Sequence, residues 1–181
     1  MRIYLVANED GTIFACGTTP VGENPVELFV EDGEDFLSNP TNYLYKDGVL
    51  VKDPNLELKT ARREKVEELN AICNRMILSG FVHDGNEFQF TEVDQANFNQ
   101  QLSLLLLDPT IDQILWKTEN NGIKQFTREK FIDTCKAGES HKRKYIGRYW
   151  NLKAYVESLT DINAINNVNF LTDIDINVEV N

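Results

Sequence analysis

The sequence predicts an α+β protein: a small β-rich N-terminal module, then a helix–hairpin–helix–hairpin–helix domain, then a C-terminal strand. Three observations carry that reading. Turn signals such as Asp47-Gly48 and Asp84-Gly85 fall between short β-rich runs. Long stretches with apolar residues at helical spacing separate the later runs. Every strand pair is joined by a tight turn, and nothing reads as a βαβ crossover. The expected boundaries are 1–55, 56–160 and 161–181, in a chain of 181 residues that is 41% hydrophobic and so has material for a core.

In the first part, residues 2–6 and 12–16 flank Asn8-Glu9-Asp10-Gly11, a hairpin signal, and 27–30 is a third short apolar run. Runs 43–46 and 49–52 flank Asp47-Gly48, because a type I′ turn needs positive φ at both central residues. Fifty residues bury little surface alone, so this module is expected to lean on the next part or on a partner. Asp53-Pro54-Asn55 marks the boundary.

Residues 56–79 then have helical spacing, with Leu58, Ala61, Val66, Leu69, Ile72, Cys73, Met76 and Ile77 largely on one stripe and Gly80 as its C-cap. Residues 81–90 read as a hairpin. Thr91-Glu92-Val93-Asp94 resembles a capping box, and opens a helix through Phe98, Leu102 and Leu105 that ends at Asp108-Pro109. Residues 115–118 and 123–126 flank Glu119-Asn120-Asn121-Gly122, a further hairpin, with Trp116 and Phe126 on its two arms and expected to pack on the flanking helices. Thr127 caps the last long helix, where Gly138 and Gly147 each cost about 1 kcal/mol relative to alanine, so a break is expected near Gly138. The closing segment alternates apolar and polar residues, placing Ile174, Ile176, Val178 and Val180 on one face of a strand that completes a sheet or pairs with another subunit.

Composition excludes several classes. No apolar run approaches the roughly 20 residues of a membrane-spanning helix, and the apolar start 3–7 meets Asn8-Glu9-Asp10-Gly11 at once, so neither membrane residence nor a cleavable signal is expected. Cys16, Cys73 and Cys135 are odd in number and unclustered, which disfavours a disulfide framework or a zinc site. The net charge of −11 divides into −8 over residues 1–57, +2 over 58–156 and −5 over 157–181. Acidic ends repel a polyanion, so nucleic acid is an unlikely partner.

Little reads as chemistry. His83 sits beside Asp84 in a turn, where a solvated histidine is the default. Cys135 and His141 are six apart, about 240° around a helix, and so point to different faces instead of forming a nucleophile–base pair. No GxSxG, HExxH, GxxxxGK[ST] or GxGxxG occurs, and Asp173-Ile174-Asp175 lacks the spacing of a calcium loop. No catalytic residue, cofactor or metal is expected. The one composition that stands out is Lys136, Lys142, Arg143, Lys144 and Arg148 with Tyr145, Tyr149 and Trp150 interleaved. As a site, it would meet phosphate, nucleic acid or an acidic partner surface, best the acidic terminal segment of a neighbouring subunit. As structure, Tyr145, Tyr149 and Leu152 have core spacing and the bases line the wet face. The candidate docking residues are therefore Lys142, Arg143, Lys144 and Arg148 on the helix, and Ile174, Ile176, Val178 and Val180 at the end.

A family resemblance runs through residues 58–170. Glu68-Leu69-Asn70-Ala71-Ile72-Cys73-Asn74-Arg75-Met76-Ile77-Leu78-Ser79-Gly80-Phe81 is followed by Gly85-Asn86-Glu87-Phe88-Gln89-Phe90, by Asp94-Gln95-Ala96-Asn97-Phe98, by Trp116-Lys117-Thr118, and later by His141-Lys142, Leu152-Lys153 and Ile162-Asn163-Ala164-Ile165. This order resembles the uncharacterised domain of small proteins encoded near the tail-fibre and baseplate genes of phages and prophages of Gram-positive bacteria. The start Met1-Arg2-Ile3-Tyr4-Leu5-Val6 and the hairpin at Asp47-Gly48 resemble the leader module that often precedes it. The resemblance implies a non-enzymatic part in a phage tail: a virion component contacting other tail proteins, or an assembly chaperone for a fibre protein that leaves before the particle is finished. A glycan-binding adhesin and a wall hydrolase are the weaker alternatives. It implies residence in the virion after assembly in the host cytoplasm, and leaves homo-oligomerisation open. The family carries no established catalytic residues to transfer.

Overall fold

A computed structural model describes residues 1–31 and 33–174 of the chain. The fold is mixed α+β with small antiparallel sheets, and it divides into two compact units, Met1–Thr60 and Ala61–Asn181.

The first unit is built on β1 (Arg2–Ala7), β2 (Ile13–Gly17) and β3 (Val26–Phe29), an antiparallel sheet of order β2-β1-β3. Its register aligns Ile3 with Leu28 and Leu5 with both Cys16 and Val26, so strand alternation carries one apolar face. Ile3 and Leu5 are fully buried in the cluster on that face. Turn residues 31–35 in the sequence had given no helix, yet α1 (Gly33–Ser38) forms there and brings Phe36 into the same cluster. Phe36 meets Tyr43 edge-on, with ring centroids 5.6 Å apart. Tyr43 opens β4 (Tyr43–Lys46), which pairs with β5 (Val49–Lys52) through Asp47 (φ 51°) and Gly48 (φ 84°), both in the left-handed region that a type I′ turn demands. Gly11 (φ 87°) leaves no alternative residue, since a Cβ there would lie 2.7 Å from the Tyr45 carbonyl oxygen, while Tyr45 N–H donates to the Gly11 carbonyl at 2.8 Å.

Asp53 leads into α2 (Leu56–Leu78) and its carboxylate is buried. It accepts the Asn55 N–H at 2.9 Å and the Lys59 ammonium, while its own N–H donates to the Asn42 carbonyl at 2.9 Å. The Lys59 ammonium, then the Asn55 N–H, hold its carboxyl below the usual aspartate value.

The second unit follows in the order β6 (Phe81–His83), β7 (Asn86–Phe88), α3 (Glu92–Leu107), β8 (Gln113–Thr118), β9 (Gly122–Thr127), α4 (Arg128–Ser158) and α5 (Ile162–Asn167). The β6–β7 turn uses Asp84 (φ 48°) and Gly85 (φ 71°). Both halves of the capping box form at α3: the Thr91 hydroxyl accepts the Asp94 N–H at 3.3 Å, and the Asp94 carboxylate accepts the Thr91 N–H at 2.9 Å. Arg128, at the start of α4, donates to the carbonyls of Leu105, Asp108 (3.2 Å) and Ile111 (3.1 Å), satisfying acceptors at and beyond the C-terminus of α3. The two hairpins are joined at their tips. Asn120 accepts the Glu87 N–H at 2.9 Å and donates to the Gly85 carbonyl at 3.1 Å, and Glu119 N–H donates to the Glu87 carbonyl at 2.8 Å.

Between these elements sits an aromatic core. Phe81 stacks on Phe88 (5.1 Å) and meets Phe90 edge-on (5.1 Å). Trp116 lies 4.4 Å from Phe98 on α3 and 4.9 Å from Phe131 on α4, and Phe126 faces Phe131 at 6.4 Å. The β8–β9 hairpin therefore packs its indole and phenyl rings on the flanking helices, as its sequence suggests.

Two expectations are corrected. No break occurs near Gly138, because α4 runs unbroken from Arg128 to Ser158. Gly138 is buried where the helix passes under two rings: a Cβ would stand 2.9 Å from Phe90 Cε2 and 3.1 Å from Phe81 Cε1. Close packing of those rings offsets the roughly 1 kcal/mol propensity loss of a helical glycine. The closing segment is not wholly strand-like either. Asp161 caps the Ala164 N–H at 2.7 Å and starts α5, which buries Ile165. Ile174 is in no strand, and Ile176, Val178 and Val180 lie outside the described residues.

Gly138→Ala tests the ring contact. In an unconstrained helix interior this change stabilises by about 1 kcal/mol, whereas here it is expected to destabilise by about 1 kcal/mol or more, as overpacking does. The urea midpoint decides between the signs. The depressed aspartate gives a second test. Its stabilising contribution is full above the unfolded value of about 3.9 and disappears as pH falls through the lower folded value. Asp53→Asn is expected to cost stability at neutral pH and to narrow that loss below about pH 3, as read by thermal melts across pH.

Candidate functional site

The basic residues of α4 advance 100° per position, so Lys142, Arg143 and Lys144 leave the helix in three directions. Lys142 turns to α3, where its ammonium donates to the Gln95 side-chain carbonyl at 2.9 Å, and Gln95 in turn donates to the Phe90 carbonyl at 3.0 Å. Arg143 pairs with Glu139 one turn back at 2.8 Å, and both are exposed. Lys144 lies over the Tyr145 ring at 5.6 Å. Arg148 reaches the chain beyond α5: its guanidinium donates to the Phe170 carbonyl at 3.2 Å and to the Thr172 carbonyl. The four residues are thus not one patch. Lys142 and Arg143 border a groove between α3 and α4, and Arg143, Lys144 and Arg148 border a second hollow beside Phe170 and Leu171.

The groove between α3 and α4 has a volume of about 660 Å³. One wall is Gln95, Phe98, Asn99 and Leu102, at i, i+3, i+4 and i+7 of α3; the other is Ile132, Cys135, Lys136, Glu139 and Arg143, the same spacing on α4. The floor is apolar, with Phe90 and Phe98 buried and Leu102, Ile132 and Cys135 half-buried. Its rim carries three cations, Lys136, Lys142 and Arg143, against one carboxylate, Glu139. The α4 half of this surface was legible as a basic cluster. The α3 half was not, because Gln95 and Asn99 are unremarkable on a helix and acquire a role only when α4 is laid against them.

The groups with chemical potential are committed to structure. The His141 ring nitrogen Nε2 lies 3.2 Å from the Met76 carbonyl and 3.1 Å from the Ile77 carbonyl, so it donates at the C-terminal end of α2. Its ring packs among Phe81, Phe90 and Tyr145. His83 is half-buried at the end of β6. All three cysteines are free, with Cys73 buried, and burial pushes the Cys135 thiol up to about 11, which suppresses the reactive thiolate. Among the described residues no group of three or more His, Cys, Asp or Glu is placed to hold a metal ion, and no helix is long and apolar enough to cross a membrane.

Ile174, the one described residue of the expected terminal face, is half-buried just after the segment that Arg148 holds. None of the curated proteins and none of the solved structures matches the chain. One family does match, over residues 60–173, which is more than half of the sequence and takes in the helix pair, both joined hairpins and the Arg148 anchor: the chain belongs to the family described as Domain of unknown function (DUF4376).

Proposed function

We propose that this protein is a non-catalytic structural or accessory component of a bacteriophage tail, in the distal tail or the baseplate and fibre region, acting as an adaptor through protein–protein contacts. The observation that carries the reading is the ordered signature in residues 58–170, which resembles proteins encoded among tail genes. Its Trp116, Phe126 and Gly85-Asn86-Glu87 are core and hairpin-joining residues, which supports a scaffold role for that signature. In this reading the helix–hairpin–helix–hairpin–helix body is the rigid part and the terminal segments dock on other tail proteins. Engagement of His141 by helix carbonyls and the raised Cys135 thiol favour a binding role over nucleophilic chemistry. The protein would be made in the host cytoplasm and carried in the virion.

Purified particles from a phage encoding this chain test the proposal by cross-linking and mass spectrometry. Peptides of the chain joined to a baseplate or fibre protein are expected. Its absence from finished particles, with capture of a fibre protein in the lysate, would assign it to assembly and overturn residence in the tail. Clearing of host walls in a zymogram would overturn the non-catalytic reading.

A further inference from the structure

We infer that Asn121, at the tip of the β8–β9 hairpin, is a modification site: its amide is converted to a carboxylate by its own chain, and the product cannot remake the junction between the two hairpins. The sequence holds one Asn-Gly pair, Asn121-Gly122. Glycine has no side chain to hinder its nitrogen and turns freely about its backbone bonds. This is therefore the asparagine whose Cγ the following main-chain nitrogen reaches most easily, and it is exposed, so water has access. The Gly122 nitrogen bonds to Asn121 Cγ, the Cγ–Nδ2 bond breaks, and Nδ2 leaves as ammonia with the Gly122 proton. Water then opens the succinimide ring at one carbonyl or the other, which gives aspartate or isoaspartate.

Folding holds this reaction back. Asn121 Nδ2 donates to the Gly85 carbonyl at 3.3 Å, to Asn86 Oδ1 at 3.1 Å and to Asn120 Oδ1 at 3.1 Å. The first two acceptors belong to the other hairpin. The Asn121 N–H donates to the Thr118 hydroxyl at 3.2 Å, and that hydroxyl donates to the Gly122 carbonyl at 2.9 Å, so the main chain is fixed on both sides of the reacting pair. Attack by Gly122 therefore follows local opening of the tip.

Conversion then keeps the tip from closing again. A carboxylate only accepts, and the groups that Nδ2 faces are all acceptors. Asn86 is buried, and its Oδ1 accepts from Asn121 and from the Lys124 ammonium at 3.0 Å. The new carboxylate removes the first donor and attracts the second, leaving a buried acceptor short of partners. Isoaspartate also lengthens the main chain by one carbon at the turn. Because ammonia is lost, the release of the junction runs one way.

Ageing of the full-length protein at mildly alkaline pH, folded or unfolded in urea, tests this, with peptide mass spectrometry following aspartate and isoaspartate at each asparagine. Asn121 is expected to convert ahead of the other asparagines, and about tenfold more slowly in the folded protein than in urea. Asn120→Ala loosens the tip without touching the reacting pair and is expected to remove most of that protection. Asn121→Asp supplies the product directly. It is expected to speed hydrogen exchange about tenfold at the Glu87 and Glu119 amides, which bond across the junction, and to leave Leu69 in α2 unchanged. Equal conversion in folded and unfolded protein, or none in the folded protein, would overturn the inference. Unchanged exchange at Glu87 and Glu119 in Asn121→Asp would overturn it as well.

Discussion

The second unit depends on the passage of α4 beneath Phe81 and Phe90, a contact that only a residue without a side chain permits. Gly138 lets the two rings lie against helix backbone, and Phe81 in turn stacks on Phe88 and meets Phe90 edge-on. Because α4 continues unbroken through this point, its first half faces the hairpins while its second half reaches back along α2. Arg62 donates to the Leu159 carbonyl at 2.6 Å near one end of that helix pair, and His141 engages the Met76 and Ile77 carbonyls near the other. The two helices therefore run antiparallel over this length. A kink at Gly138 would separate the aromatic core from the helix pair.

Polar contacts then make the arrangement specific. An aromatic core is non-directional, and hairpins on its surface can slide unless something fixes them. Asn120 fixes one tip to the other by accepting the Glu87 N–H and donating to the Gly85 carbonyl. Arg128 fixes the end of α3 by donating to the Leu105, Asp108 and Ile111 carbonyls, and Lys142 fixes its beginning through Gln95. These are charge-assisted or paired hydrogen bonds to groups that would otherwise lack intrahelical or ladder partners. The same bonds set the width of the α3–α4 groove, so the groove follows from the scaffold's fastening.

What could be read from the sequence follows from the range of the interactions involved. The Asp47-Gly48 and Asp84-Gly85 turns, the Thr91–Asp94 box and the Thr127 cap are local, and each is written in four or fewer consecutive residues. Gly138 was misread for the complementary reason: local propensity marks it as a helix breaker, and the rings that require it come from residues 81 and 90. The short helix that delivers Phe36 was missed because acidic turn residues conceal it, and its stability comes from burial against Tyr43. The candidate docking cluster fared likewise. Charge and spacing identify Lys142, Arg143, Lys144 and Arg148, but their partners are Gln95, Glu139, the Tyr145 ring and the backbone of residues 170 and 172, and three of those lie on other elements or more than one turn away.

Arg148 is where these arguments converge. A guanidinium spent on two main-chain carbonyls is an unusual use of charge, since backbone oxygens ask only for hydrogen bonds. What it achieves is position, because fixing the carbonyls of residues 170 and 172 holds that stretch against α4, where the Phe170 ring lies 6.3 Å from that of Tyr145. The cations at the groove rim are likewise committed: Lys136 pairs with Asp133, Arg143 with Glu139, and Lys142 donates to Gln95. The basic run of α4, one cluster in the sequence, thus serves as separate ties to α3, to its own helix and to the chain at residues 170–172.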